Sequence, residues 1–289
     1  MQETSREIVW RNMENELKAL CERAGGTPGE TASGVCGYAL LDLSSGKRAG
    51  FRQDILFVTA STIKIAVLLG LATRVHRGEL SWEQRIAVGT EGKVGGSGVL
   101  SLLRHQVEVS LWDLAALMIC VSDNHATNLC IDFAGMDAVN QLLDGLGLHR
   151  VRLRRKMMDA AAVKRGDENV ATPGELVDLL EKLHRADGIP AQVANDVLTL
   201  MELPKSGPFA RALPASVRRA NKTGSLDRVQ VDAGIIYLPG LDFCLAVMGS
   251  FLPKSESGAE DAVTSIVAAA YRHMALLADC NELGRTQIF

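Results

Sequence analysis

Three short stretches of this chain carry side chains that could do covalent chemistry, and each has a quieter reading beside it. Ser61-Thr62-Ile63-Lys64 opens a helical pattern marked by Ile63, Val67 and Leu71. Residues i and i+3 share a helix face, so the Lys64 amine can reach the Ser61 hydroxyl. A serine at a helix start also has free backbone N–H groups beside it, which suit an oxyanion. The quieter reading is a helix cap. A second S-x-x-K, Ser44-Ser45-Gly46-Lys47, reads as turn chemistry only. Ser122-Asp123-Asn124 lies between two helical runs, where these residue types also make turns and caps. Lys222-Thr223-Gly224 leads into an apolar strand pattern and would alone read as an edge strand entering a turn.

The elements that must position these residues follow from periodicity. Trp10, Met13, Leu17 and Leu20/Cys21 recur at helical spacing, so a first amphipathic helix is expected over about 4–24. A glycine-rich break, Gly25–Gly29, comes next. Gly34–Leu43 reads as a strand, turning at Ser44-Ser45-Gly46 into a second strand toward Phe51. From Ser61 to Leu203 the patterns are almost all helical, with helix starts at Ser110–Asp113 and Thr172–Glu175. Ala233–Leu238 and Phe243–Gly249 are continuous apolar runs, as in strands covered on both faces. Ala259–Ala278 reads as a closing helix. The expected fold class is α/β (α+β): one antiparallel sheet flanked by the terminal helices, with an inserted all-α lobe. The expected organisation is one domain over 1–289, with the sheet lobe from about 1–58 and 216–289 and the helical lobe from about 59–215.

Composition narrows the function. The chain has 289 residues, 47% of them hydrophobic and 22% charged, which is globular composition. A formal net charge of −3 suits neither a nucleic-acid binder nor a membrane-surface protein. The longest apolar runs, such as Ile65–Ala72, are far shorter than the roughly 18 residues of a membrane span. The six cysteines include no C-x-x-C, and the histidines no H-E-x-x-H, so neither a metal site nor a cofactor is expected. Most of the cysteines read as small core residues. The N-terminus is charged throughout and lacks an apolar export segment, which reads as cytoplasmic, or as periplasmic or secreted if a leader has been removed.

Taken together and in this order, about sixty and one hundred residues apart, S-x-x-K, S-D-N and K-T-G resemble the penicillin-recognising serine hydrolases, most closely the class A β-lactamases. The resemblance covers nearly the whole chain and implies an α/β sandwich with an all-α lobe. It implies that Ser61 attacks a lactam or ester carbonyl to form an acyl-enzyme. Lys64 would take the Ser61 proton if held neutral, which burial and a nearby Lys222 both favour. Ser122 would relay a proton to the departing nitrogen, with Lys222 holding its hydroxyl. Asn124 would bind the substrate's side-chain amide, and Thr223, Gly224 and Ser225 would line the place of its carboxylate. Backbone N–H groups of Ser61 and Ser225 would form the oxyanion hole.

Two departures from that family have chemical consequences. Its loop glutamate, which activates the deacylating water, has no counterpart in Arg155–Asn169, where the only glutamate is Glu168. Ungapped counting from Pro173 puts Lys156 at that place, and Asp159 is the nearest candidate for a substitute base, with capping or ion pairing as its alternative role. The family's carboxylate-binding arginine falls near Val231, with Arg228 as a stand-in. The expected function is therefore a class A type serine hydrolase with slow or altered deacylation, acting on a small-molecule β-lactam. The alternatives are a D,D-peptidase, esterase or transacylase on a peptide or ester, or a β-lactam sensor that stays acylated. Among remaining features, His125 is the only histidine near these motifs, Gly95–Gly98 reads as a flexible wall, and Arg150–Lys156 as a solvated basic loop.

Overall fold

The structure, a computed structural model, describes residues 4–24, 34–89, 92–253, 258–281 and 283–286. The break expected at Gly25–Gly29 lies outside them. Along the chain run α1 (Ser5–Arg23), β1 (Val35–Asp42), β2 (Arg48–Phe51), β3 (Phe57–Val58), α2 (Lys64–His76), β4 (Arg85–Val88) and β5 (Val107–Ser110). Then come α3 (Leu111–Cys120), α4 (Asn124–Ala134), α5 (Met136–Gly145), α6 (Ala160–Arg165), β6 (Val170–Ala171), α7 (Pro173–Arg185) and α8 (Ala191–Glu202). The chain closes with α9 (Pro208–Ala212), β7 (Arg219–Leu226), β8 (Val229–Ile236), β9 (Phe243–Ser250) and α10 (Gly258–Asp279). It divides into two compact units, 1–60 with 172–181 and 206–289, and 61–171 with 182–205.

The first unit is built on a five-stranded sheet in the order β2-β1-β9-β8-β7, with antiparallel neighbours throughout. Strands from the two ends of the chain are thus adjacent, Tyr38 opposite Val247. Side chains alternate across a strand, so Cys36, Tyr38 and Leu40 of β1 share a face, as do Phe243, Leu245 and Val247 of β9. All six belong to one core cluster with Trp10, Met13, Leu17 and Cys21 of α1 and Val263, Ile266, Val267, Ala270 and Met274 of α10. The helical stripe read from the sequence is the stripe buried there. α1 starts where Thr4 and Glu7 cap each other reciprocally: the Glu7 N–H donates to Thr4 Oγ1 at 3.2 Å, and the Thr4 N–H to Glu7 Oε2 at 2.6 Å.

The second S-x-x-K is a turn. Asp42 Oδ1 accepts from the Ser44 and Ser45 N–H groups, Ser45 Oγ donates to Oδ2 at 2.6 Å, and Gly46 takes φ +76°. Lys47 Nζ lies over the Trp10 ring, 4.8 Å from its centroid.

The second unit is helical around α2, which is buried from Lys64 through Thr73. A helix apolar on all sides is a core helix, and α3, α4, α5 and α8 pack around it. α3 begins at the predicted Ser110–Asp113 box, with the Asp113 N–H donating to Ser110 Oγ at 3.0 Å. The almost all-helical expectation for this stretch is departed from at β6, and at β4 and β5, which pair antiparallel, Arg85 opposite Ser110. Four residues apiece are too few to show a period of two against the helical background. Of the six cysteines, 21, 36, 130 and 244 are buried as expected, whereas Cys120 and Cys280 are partly exposed; all are free thiols.

Candidate active site

Ser61 is half-buried in the short 3₁₀ turn Ala60–Ile63 that runs directly into α2. Lys64 opens α2 and is completely buried. A buried amine must find acceptors. Lys64 Nζ donates to the Ser122 carbonyl at 2.8 Å, to Ser122 Oγ at 3.0 Å and to Asn124 Oδ1 at 3.2 Å. Two of the three motifs therefore meet inside the helical unit, joined through one nitrogen.

The S-D-N turn is held from several sides. Ser122 has φ +56°, a left-handed conformation that costs a non-glycine residue about 1 kcal/mol or more. Asp123 follows as the cap of α4, its Oδ1 accepting the Ala126 N–H at 2.9 Å. Its Oδ2 accepts the Val99 and Leu100 N–H groups at 2.7 and 2.8 Å. The Asn124 N–H donates to the Ser97 carbonyl, and Asn124 Nδ2 to the Gly95 carbonyl at 3.1 Å. In the segment expected as a flexible wall, Gly95, Gly96 and Ser97 are exposed, while Gly96 and Gly98 come close to the S-D-N turn. A Cβ on Gly96 (φ +86°) would lie 2.6 Å from Asn124 Nδ2, and one on Gly98 (φ +111°) 2.3 Å from Asp123 Oδ2. These glycines are needed for close approach and left-handed backbone, not for freedom.

Cys130 of α4 is part of the same surroundings. Burial pushes its thiol well above the usual range, with Asp123 adding to the shift and the Lys64 charge opposing it. His125 is buried, and its Nδ1 has no hydrogen-bond partner among the described residues.

Residues 154–169 are ordered by two asparagines that sequence reasoning missed. Asn128 lies one helical turn after Asn124. Its Oδ1 accepts the Met157 N–H at 2.7 Å, and its Nδ2 donates to the Met157 carbonyl at 3.1 Å. Asn169 Oδ1 accepts the Arg154 and Arg155 N–H groups. The carboxylates of this segment have partners: Asp159 Oδ1 caps α6 through the Ala162 N–H at 2.9 Å, Glu168 pairs with Arg155 at 2.7 Å, and Asp167 with Arg165 at 3.0 Å. Lys156 pairs with Asp132 at 2.5 Å.

The third motif lies on β7 of the sheet unit. Lys222 is completely buried, and its Nζ donates to the Thr223 carbonyl at 2.7 Å. Thr223 and Ser225, two apart, share a strand face; Gly224 between them is buried and Ser225 exposed. Thr223 Oγ1 donates to the Val231 carbonyl at 3.3 Å and accepts from Gln230 Nε2 at 3.4 Å. Behind the motif, Asn221 Nδ2 donates to buried Asp232 Oδ1 at 2.8 Å, and Asp232 Oδ2 accepts the Phe209 N–H at 3.1 Å. Val231 is buried, and Arg228 sits at φ +60° in the β7–β8 turn, its Nη1 donating to the Leu252 carbonyl at 3.4 Å. Among the described residues no group of three or more His, Cys, Asp or Glu side chains is placed to hold a metal ion, and no helix is long and apolar enough to cross a membrane.

The family model described as "Beta-lactamase enzyme family" matches residues 12–274. Beta-lactamase L2 of Stenotrophomonas maltophilia is 28% identical over 153 residues, 52% of this chain and 50% of that protein. A beta-lactamase of Rhodobacter capsulatus is 29% identical over 189 residues, 60% of this chain and 59% of that one. The matched stretches thus span only half to three fifths of the length of these curated relatives. A beta-lactamase crystal structure from Sphaerobacter thermophilus superposes with a TM-score of 0.82 at 31% identity, covering 92% of this chain and 98% of its own.

The packing around the S-D-N turn predicts that Gly98→Ala destabilises the protein by more than about 2 kcal/mol, since the new Cβ meets both a carboxylate and a forbidden φ. Urea unfolding checks this; an unchanged midpoint would contradict the packing described.

Proposed function

The chain belongs to the beta-lactamase enzyme family, and from that premise we propose that it is a serine hydrolase that opens β-lactam amides through an acyl-enzyme on Ser61. The observation that carries the reading is Lys64, a fully buried amine three residues after Ser61, within 3.2 Å of both the Ser122 hydroxyl and the Asn124 amide oxygen. Ser61 Oγ attacks the lactam carbonyl and Lys64, in its neutral form, takes its proton. The ring C–N bond breaks as Ser122 Oγ protonates the departing nitrogen, and Lys64 returns the proton to Ser122. Asn124 Nδ2 has two hydrogens; one holds the Gly95 carbonyl and the other is available to the substrate's side-chain amide. To Lys222, Thr223, Gly224 and Ser225 the reading gives recognition of the substrate carboxylate.

Deacylation is proposed to be slow. Asp159, Glu168 and Asp167 are each engaged in a cap or ion pair, which favours a long-lived acyl-enzyme over rapid turnover. The same observation favours the second reading, a β-lactam sensor that stays acylated. A time course separates them, because a sensor holds its adduct while a slow hydrolase returns to its starting mass.

With a chromogenic cephalosporin, intact-mass measurement is expected to show one stoichiometric adduct, absent in Ser61→Ala and unchanged in Ser44→Ala. No adduct and no turnover at millimolar substrate would reject every β-lactam reading. Asp159→Asn separates capping from catalysis, because asparagine caps as well as aspartate but cannot act as a base. If Asp159 is the substitute base, adduct decay slows at least about 100-fold in this variant with stability unchanged. Decay at the wild-type rate would leave Asp159 as a cap only.

A further inference from the structure

The helical unit holds a cavity that takes no part in the chemistry above. It encloses about 410 Å³, a volume within the range of small-molecule sites. Arg74 and Arg77 of α2, Ala134 of α4, Leu142 of α5, Leu146 just after α5 and Gly188 after α7 are among its lining residues. All of them belong to the helical unit. Arg74 follows Lys64 by ten residues in the same helix, a rise of about 15 Å, so the cavity is remote from Ser61.

The charge at this cavity is unbalanced. Among the described residues, Arg74 and Arg77 are the only charged side chains that line it. Arg74 is held in place, its Nε donating to Glu79 Oε2 at 2.8 Å and its Nη1 to the Phe133 carbonyl of α4. Its Nη2 has no hydrogen-bond partner among the described residues. Arg77 is exposed, and among the described residues its guanidinium has neither a hydrogen-bond nor an ion-pair partner. Glu79 offsets one of the two positive charges. The carboxylates beside Gly145 and Gly188, those of Asp144 and Asp187, pair with Arg152 and Lys182. One positive charge is left unmatched. A helix C-terminus favours cations, which accounts for two arginines at the end of α2. It does not account for a cavity between them and the apolar side chains of Ala134 and Leu146.

We propose that this cavity is a binding site for an organic monocarboxylate with a short apolar body. The planar carboxylate suits the guanidinium fork of Arg77, with Arg74 Nη2 as a further donor. The apolar body lies against Ala134, Leu142 and Leu146. A single negative charge completes the balance of Arg74, Arg77 and Glu79. A neutral molecule of the same shape leaves the guanidinium groups to water and gains only the apolar contact. Gly188 keeps its wall thin: it has φ +70°, and a Cβ there would lie 3.0 Å from Leu146 Cδ2.

The test uses the full chain with isotope-labelled alanine and leucine methyl groups, titrated with phenylacetate and followed by NMR. The expected result is a saturable shift of the Ala134, Ala138, Leu142 and Leu146 methyl signals, with a Kd below about 1 mM. Phenylacetamide, which keeps the shape and loses the charge, should bind at least about 10-fold more weakly. Arg77→Gln changes an exposed side chain without a protein partner, so the fold is kept and phenylacetate affinity should fall at least about 10-fold. Ala138→Phe, which fills the cavity from the exposed side of α5, should abolish the shifts of the other three residues. No saturable shift up to about 10 mM phenylacetate would overturn the proposal. So would equal affinity for phenylacetamide, wild-type affinity in either variant, or shifts confined to residues around Ser122. The comparison of phenylacetate with phenylacetamide on the wild-type chain does not depend on any variant folding, and none of these readouts depends on acylation of Ser61.

Discussion

The burial of one amine organises the helical unit. Lys64 has no exposed surface, and removing such a group from water without acceptors costs several kcal/mol. The acceptors come from the S-D-N turn, and delivering them shapes the backbone around it. Ser122 is driven into a left-handed conformation, Asp123 spends both carboxylate oxygens on capping α4 and holding Val99–Leu100, and Gly96 and Gly98 leave room for these contacts. Strain at Ser122 is thus stored by a network that fixes it from several directions. The Lys64 amine ends up within hydrogen-bonding reach of the Ser122 hydroxyl and the Asn124 amide oxygen, with Lys64 and Asn124 at the starts of α2 and α4.

The sheet unit supplies a different kind of order. Its strands come from opposite ends of the chain, and the face carrying Tyr38, Leu40, Phe243 and Leu245 shares a core with α1 and α10. K-T-G is on the edge strand β7, whose register places Thr223 opposite Asp232. Asp232, buried and bonded by Asn221 and the Phe209 N–H, pins that strand to β8 and α9 just behind the motif.

How much of this was legible depended on how far each signal extends in sequence. Long periodic stretches were readable: the Trp10–Cys21 stripe, the apolar run of β9, the capping pair of α3 and the order of the three motifs. The hairpin β4–β5 was not, because strands of four residues carry too little periodicity to compete with helical neighbours. The glycines of 95–98 read as a flexible wall because glycine permits freedom; the positions of Asp123 and Asn124 show that at Gly96 and Gly98 it also permits close contact. Asn128 and Asn169 were silent for a similar reason. Each bonds backbone some 14 to 29 residues away, and no local pattern announces such a bond.

The absence of a loop glutamate was visible at once, but its consequence needed side-chain partners. Asp159 caps α6 and Glu168 is paired with Arg155, so the segment is built for its own order. The account rests on Lys64 acting with Ser122 on Ser61. The most direct measurement is the pre-steady-state acylation rate by rapid-quench mass spectrometry for wild type, Lys64→Ala and Ser122→Ala, with circular dichroism confirming that each folds. The account predicts that both folded variants acylate at least about 100-fold more slowly. Acylation of either folded variant at the wild-type rate would contradict it.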